Sequence, residues 1–162
     1  MQIGFQPASQ AHVPLLAEFM QRFYAIDHYP FDEGIVRDAL VGLIANDSLG
    51  RIWLIEWGGI AVGYVVLTFS YSLEYGGRNA FIDELYLEEN YRGQGIGTEA
   101  VRFIEEMCQE LGVKALHLEV EPGNIRGQSL YRKRGFKMHE RHLMTRRFAF
   151  LCLSAGGDNP QS

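Results

Sequence analysis

With 162 residues, the chain is long enough for one well-buried core and too short for two ordinary domains. At 47% apolar and 22% charged it reads as globular and soluble. Its formal charge of −5 argues against a general nucleic-acid binder, which carries a basic face, and is compatible with a cationic substrate.

Residues 2–6 alternate as a short strand. Ser9 suits the cap of a helix whose apolar positions Val13, Leu16, Phe19, Met20 and Phe23 recur at helical spacing. A loop from Asp27 to Phe31 leads to a second helix, with Asp32 as its cap and Ile35, Val36, Leu40, Leu43 and Ile44 expected inward. Strands are predicted at 50–57 and 60–71, joined at Gly58-Gly59, a pair suited to a tight hairpin turn. A strand over 79–88 follows, then a helix from 95 to 111 ended by Gly112, a strand over 114–120 and a short helix over 124–134 closed by Gly135. Two last strands are predicted near 136–140 and 142–152, for seven in all. The order β-α-α-β-β-β-α-β-α-β-β fits a single α/β domain over residues 1–153, with helices on both faces of one sheet. The polar stretch 154–162 is expected to be a disordered tail.

Cys108 and Cys152 are too far apart in sequence to make a disulfide framework. The first residues lack the basic and apolar regions of a secretory signal, and no apolar run approaches membrane-spanning length. The expected setting is the reducing cytoplasm, without a membrane or nucleic-acid partner.

Residues 85–98, Leu-Tyr-Leu-Glu-Glu-Asn-Tyr-Arg-Gly-Gln-Gly-Ile-Gly-Thr, run from an apolar strand end through an Arg-headed glycine turn into a long helix. Amides at a helix start lack partners within the helix, and the helix dipole adds partial positive charge there. Gly93, Gly95 and Gly97 allow unusual backbone angles and close approach, so the turn suits a phosphate or diphosphate. It is not a dinucleotide fingerprint, because Thr98 stands at the last glycine of that pattern. Nor is it a nucleoside-triphosphate loop, since no Gly-Lys-Ser or Gly-Lys-Thr occurs.

A second block reads Leu118-Glu119-Val120-Glu121-Pro122-Gly123-Asn124, then Leu130-Tyr131 and Gly135-Phe136. Together the two blocks resemble the GCN5-related N-acetyltransferase (GNAT) superfamily. Arg92-x-x-Gly95-x-Gly97 fits its acetyl-CoA signature, and the second block fits its Asn-x-x-Ala-x-x-Leu-Tyr-x-x-x-Gly-Phe pattern, with Gly127 in place of Ala. That glycine should weaken its helix by roughly 1 kcal/mol.

The resemblance implies a mixed, mostly antiparallel seven-stranded sheet splayed between strands 4 and 5. The pantetheine arm would pair with Leu85, Tyr86 and Leu87, and the diphosphate would sit on Arg92, Gly93, Gln94, Gly95, Ile96, Gly97 and Thr98, with Asn124 and Tyr131 facing the cofactor. Acetyl-CoA would be the acyl donor and a primary amine, of a cationic small molecule or peptide, the acceptor.

Asn124 and Tyr131 are seven apart, so a helix places them on one face. A phenol stays protonated at neutral pH and can return a proton to the departing thiolate, which makes Tyr131 the candidate general acid; a core tyrosine anchoring its helix is the alternative. Asn124 can also cap its helix. The amine needs a base, for which Asp83, Glu84 and Glu119 are the candidate carboxylates, Asp83 and Glu84 facing opposite sides of their strand; the resemblance favours Glu84, with Glu119 next. His139 and His142 lack a completing ligand, so no metal is expected, and Cys108 reads as a buried structural thiol. The apolar run Phe148 to Leu153 is either deeply buried or an oligomer contact, with a homodimer the favoured reading. A non-catalytic acyl-CoA-binding regulator on the same fold is the alternative function.

Overall fold

A computed structural model describes residues 2–148 of the chain. In order come β1 (Ile3–Pro7), α1 (Val13–Ile26), α2 (Glu33–Ile44), β2 (Gly50–Trp57), β3 (Ile60–Ser72), β4 (Gly77–Leu87), α3 (Ile96–Glu110), β5 (Ala115–Leu118) and α4 (Ile125–Lys133). The strands form one sheet in the order 1-2-3-4-5, antiparallel through β4, with β5 added parallel to it.

Local chemistry explains most boundaries. Pro14 sits in the first turn of α1, where a missing amide costs nothing. The Asp32 carboxylate accepts from the Ile35 amide at 3.0 Å and starts α2. Gly58 and Gly59 take φ of 60° and 83°, the left-handed pair that a two-residue hairpin needs. One expected inward residue is corrected: Ile35 is 68% exposed, because only Val36 and Leu40 of that turn face the sheet fully.

Alternation along the strands builds two apolar layers. Ile52, Leu54, Tyr64, Val66 and Tyr86 pack beneath α1 and α2. Trp53, Ile55, Val65, Leu67, Ala80 and Ile82 pack against Ile96, Ala100, Ile104 and Cys108 of α3. Each fully buried aliphatic side chain in these layers contributes about 1.5–3 kcal/mol.

The register between β3 and β4 breaks at one point. Leu67 faces Ile82 and Val66 faces Glu84, so Asp83 is an extra residue in β4. This bulge reverses the alternation. Ala80 and Ile82 face α3, whereas Glu84 and Tyr86 turn toward α1. The parallel ladder with β5 also stops here, its last pair being Ile82 with Leu118, while β4 runs on to Leu87. Loss of that partner is why β5 ends at Leu118, short of the expected residue 120.

Seven strands were expected, and five are present among the described residues. The segment from Phe136 to Phe148 forms no ladder, which corrects the strand expected at 136–140 and the first part of that at 142–152. The apolar side chains there, Leu143, Met144 and Phe148, are exposed, so no sheet face receives them. The remainder of the last expected strand, the 154–162 tail and most of the proposed dimer contact lie outside the described residues.

Candidate functional site

The end of β4 leads through a 3-10 turn at Glu89–Tyr91 to the glycine turn and α3. Gly93 and Gly95 have φ of 76° and 83°, values that side chains disfavour, and Gly95 is the residue from which α3 starts. The Arg92 amide bonds to the Glu89 carbonyl, and regular helix bonding begins with the Glu99 amide on the Gly95 carbonyl at 3.1 Å. Between them, the amides of Gly93, Gln94, Gly95, Ile96, Gly97 and Thr98 make no hydrogen bond within the described residues. These donors sit at the positive end of a 15-residue helix dipole, the arrangement that favours an anion.

Side chains around the turn hold its shape. Arg92 Nε donates to the Leu87 carbonyl at 2.8 Å, and its guanidinium lies 5.7 Å from the Tyr86 ring centre. Arg92 therefore braces the turn against β4. Gln94 folds back onto the Asn90 carbonyl at 2.9 Å. Gly97 differs from the other two glycines, being helical. A Cβ there would lie 3.3 Å from Leu130 Cδ1 and 3.8 Å from Leu87 Cδ1, so its role is to let α4 and β4 approach the first turn of α3. One turn earlier on the same face of α4, Arg126 reaches the turn: a Cβ on Gly93 would lie 3.7 Å from its Nη1.

On the α1 side, Glu84 is held by two phenols that the sequence did not single out. Tyr24 of α1 donates to Oε1 at 2.6 Å, and Tyr64 of β3 donates to Oε2 at 2.6 Å. Burial raises the Glu84 carboxyl above its ordinary value, while the two phenol bonds act to lower it. Burial and the same carboxylate push both phenols well up. Above this group, the rings of Tyr29 and Phe31 stand edge-on to Tyr24 at 6.4 and 6.1 Å. The Tyr29 hydroxyl donates to Glu121, tying the α1–α2 loop to the loop after β5.

The other candidates lie apart. Tyr131 and Glu119 line a cavity of about 640 Å³ between β5, α4 and the segment after Gly135, with Leu116, Leu118 and Phe136. Tyr131 packs edge-on to Phe136 with ring centres 5.8 Å apart, and burial pushes its phenol above the ordinary value. Its hydroxyl has no hydrogen bond among the described residues, and none connects it to Glu84. Asn124 does not line this cavity. Its Oδ1 accepts from the Gly127 amide at 2.8 Å, so the cap role holds. Gly127 makes that cap possible, since a Cβ there would fall 2.7–2.9 Å from the Asn124 side chain.

Cys108 is buried, and burial pushes its thiol up to about 11, so it is inert at neutral pH. At the end of α4, Arg134 pairs with Glu105, while Arg132 and Lys133 are exposed. Among the described residues no helix is long and apolar enough to cross a membrane, and no group of three ligating side chains could hold a metal.

The fold and the anion-ready turn define an α/β protein built to present a helix start beside an open strand end. The family model of the acetyltransferase (GNAT) family matches residues 14–136, and the chain belongs to that family. A thialysine N-epsilon-acetyltransferase from Bos taurus is 37% identical over 78 residues, 48% of this chain and 45% of the relative. The aligned stretch is thus less than half the length of that relative. An integron cassette protein from the mobile metagenome of Cole Harbour Salt Marsh is 34% identical, covers 90% of both chains and superposes with a TM-score of 0.80. A protein from Clostridium acetobutylicum described as a predicted acetyltransferase and solved with acetyl-CoA is 18% identical, with 90% of this chain and 96% of that chain covered and a TM-score of 0.76, a likeness of fold.

Proposed function

We propose that this protein transfers the acetyl group of acetyl-CoA directly to a primary amine. The observation that carries the reading is the run of unbonded amides from Gly93 to Thr98 at the start of α3, directly after the β4 residues that lie past the end of the β5 ladder. The diphosphate sits on those amides. The pantetheine arm runs along Leu85, Tyr86 and Leu87, where β4 has lost its parallel neighbour, and the catalytic unit comprises residues 1–153.

The acceptor enters from the α1 side, between the α1–α2 loop and Glu84. Tyr24, Tyr29 and Phe31 give that entrance aromatic walls, and Glu84 and Glu121 give it negative charge, which suits a cationic amine. The thialysine N-epsilon-acetyltransferase likeness agrees with such an acceptor. Glu84, directly or through water, takes a proton from the ammonium group; Glu119 is the second choice, as an exposed carboxylate in the cavity with Tyr131. The freed nitrogen attacks the thioester carbonyl, a C–N bond forms, and backbone amides near Leu87 steady the developing oxyanion. The C–S bond then breaks, and Tyr131 gives its proton to the thiolate. The nitrogen, cationic once the C–N bond has formed, gives up its second proton, which returns through solvent to the phenolate, while the first passes from Glu84 to solvent, so one proton is released per turnover.

The experiment is a thiol-release assay with acetyl-CoA against diamines, lysine analogues, aminoglycosides and peptide N-termini. Turnover on cationic primary amines is expected. Acetyl-CoA binding without turnover on the whole panel would replace this reading with the non-catalytic acyl-CoA-binding one.

A further inference from the structure

We infer that Tyr24, Tyr29 and Phe31 form an aromatic cage for a second nitrogen of the acceptor, one that is tertiary or quaternary. The acceptor class is then a short diamine with one primary and one N-alkylated end. This rests on the amine-acetylation reading above and narrows its acceptor. Local chain geometry builds the cage. α1 ends at Ile26, and His28 takes φ of 56°, a left-handed value that side chains rarely adopt. The Tyr29 amide then bonds to the Tyr24 carbonyl at 2.9 Å, which folds Tyr29 back over the last turn of the helix. Pro30 disfavours helical backbone at Tyr29, and residues two apart in an extended stretch project to one side, about 7 Å apart. Tyr29 and Phe31 therefore stand as two walls on one floor. Their rings lie at 78° and 80° to the Tyr24 ring, with centres 6.4 and 6.1 Å from its own, and make no ring contact with each other among the described residues.

The ring faces are open to a cation. Arg78 lies over Phe69, Arg92 over Tyr86 and Arg146 over Phe148, but among the described residues no cation lies over Tyr24, Tyr29 or Phe31. Both phenol protons are committed to carboxylates, Tyr24 donating to Glu84 and Tyr29 to Glu121. The cage thus offers ring faces more than hydrogen-bond acceptors. A primary ammonium has three N–H groups that need acceptors, whereas an N-alkylated one spreads its charge over methyl groups that rest on ring faces. Surrounding charge has the matching sign. The Tyr29 phenol is pushed above its ordinary value chiefly by Glu121, with Asp27 and Glu119 adding to it. The spacer between the two nitrogens is short. Glu84, the base for the reacting nitrogen, lies 2.6 Å from the Tyr24 hydroxyl, and a cation binds within about 6 Å of a ring centre. A chain of about three methylenes spans that gap.

Acetyl transfer by the full chain to three acceptors of matched length tests this: 3-aminopropyl-trimethylammonium, 1,3-diaminopropane, and 4,4-dimethylpentylamine, the neutral isostere with carbon in place of the quaternary nitrogen. The kcat/KM for the trimethylammonium acceptor should exceed the other two by about tenfold. Tyr29→Leu should erase that preference and Tyr29→Phe should keep it, since the ring and not the hydroxyl makes the wall. A kcat/KM for either comparison acceptor that equals or exceeds it in the wild type would overturn the inference. So would a preference that survives Tyr29→Leu. If no amine of a broad panel turns over, the acetyl-transfer reading falls instead, and the cage is decided by tetramethylammonium chloride against sodium chloride in NMR of the full chain. Saturable shifts of the Tyr24, Tyr29 and Phe31 ring signals with tetramethylammonium alone would support the cage, and their absence would overturn it.

Discussion

Tyr24→Phe isolates the chemistry of Glu84, because it removes one of two 2.6 Å phenol donors and leaves the ring in place. Those bonds stabilise the charged carboxylate against the burial that raises its pKa. A hydrogen bond to an ionised group contributes about 1.5–3 kcal/mol. Losing the Tyr24 donor should raise the Glu84 pKa by the equivalent of that energy. The base must be deprotonated to act. The acid limb of a kcat/KM profile against pH should therefore move to higher pH by that amount, with the high-pH plateau close to wild type. Tyr64→Phe should shift the limb in the same direction through the other oxygen. A limb that coincides with wild type in both variants would show that Glu84 is a structural carboxylate and move the base role to Glu119.

Tyr131→Phe should lower kcat by about a hundredfold or more while the Kd for acetyl-CoA stays level; a collapse in Kd would make the phenol a binding group. In Gly63→Ala the new Cβ would fall 2.1 Å from the Tyr86 carbonyl oxygen, so the β3–β4 ladder must shift. A cost of about 3 kcal/mol or more is expected as a lower denaturant midpoint, and a midpoint equal to wild type would contradict that packing. Gly127→Ala should gain roughly 1 kcal/mol of helix propensity and lose about as much by displacing the Asn124 cap. Asn124→Ala should then destabilise the wild-type chain but not the Gly127→Ala background, and equal losses in both would refute the coupling.

What the sequence made legible was what neighbouring residues decide. Asp32 before a helical run, Gly58-Gly59 between strand patterns and the glycine turn before α3 each announce local geometry. The site features that escaped are products of long-range register. Tyr24 and Glu84 are 60 residues apart, and nothing in either neighbourhood marks the pair. The bulge at Asp83 is set by how β4 meets β3, yet it aims Glu84 toward α1 and ends the β5 ladder. The expected strands after Gly135 show the opposite error. An extended stretch becomes a strand only where a sheet edge and a core face receive it, and Leu143 and Met144 are exposed.

The central claim is that the unpaired amides at the start of α3 hold the diphosphate of acetyl-CoA. An amide-resolved NMR titration with acetyl-CoA tests it most directly. Large shifts concentrated on Gly93 through Thr98, saturating together with those of Leu85 to Leu87, are the predicted result. Saturable binding that leaves the Gly93–Thr98 amides unmoved, or no binding at all, would contradict the account.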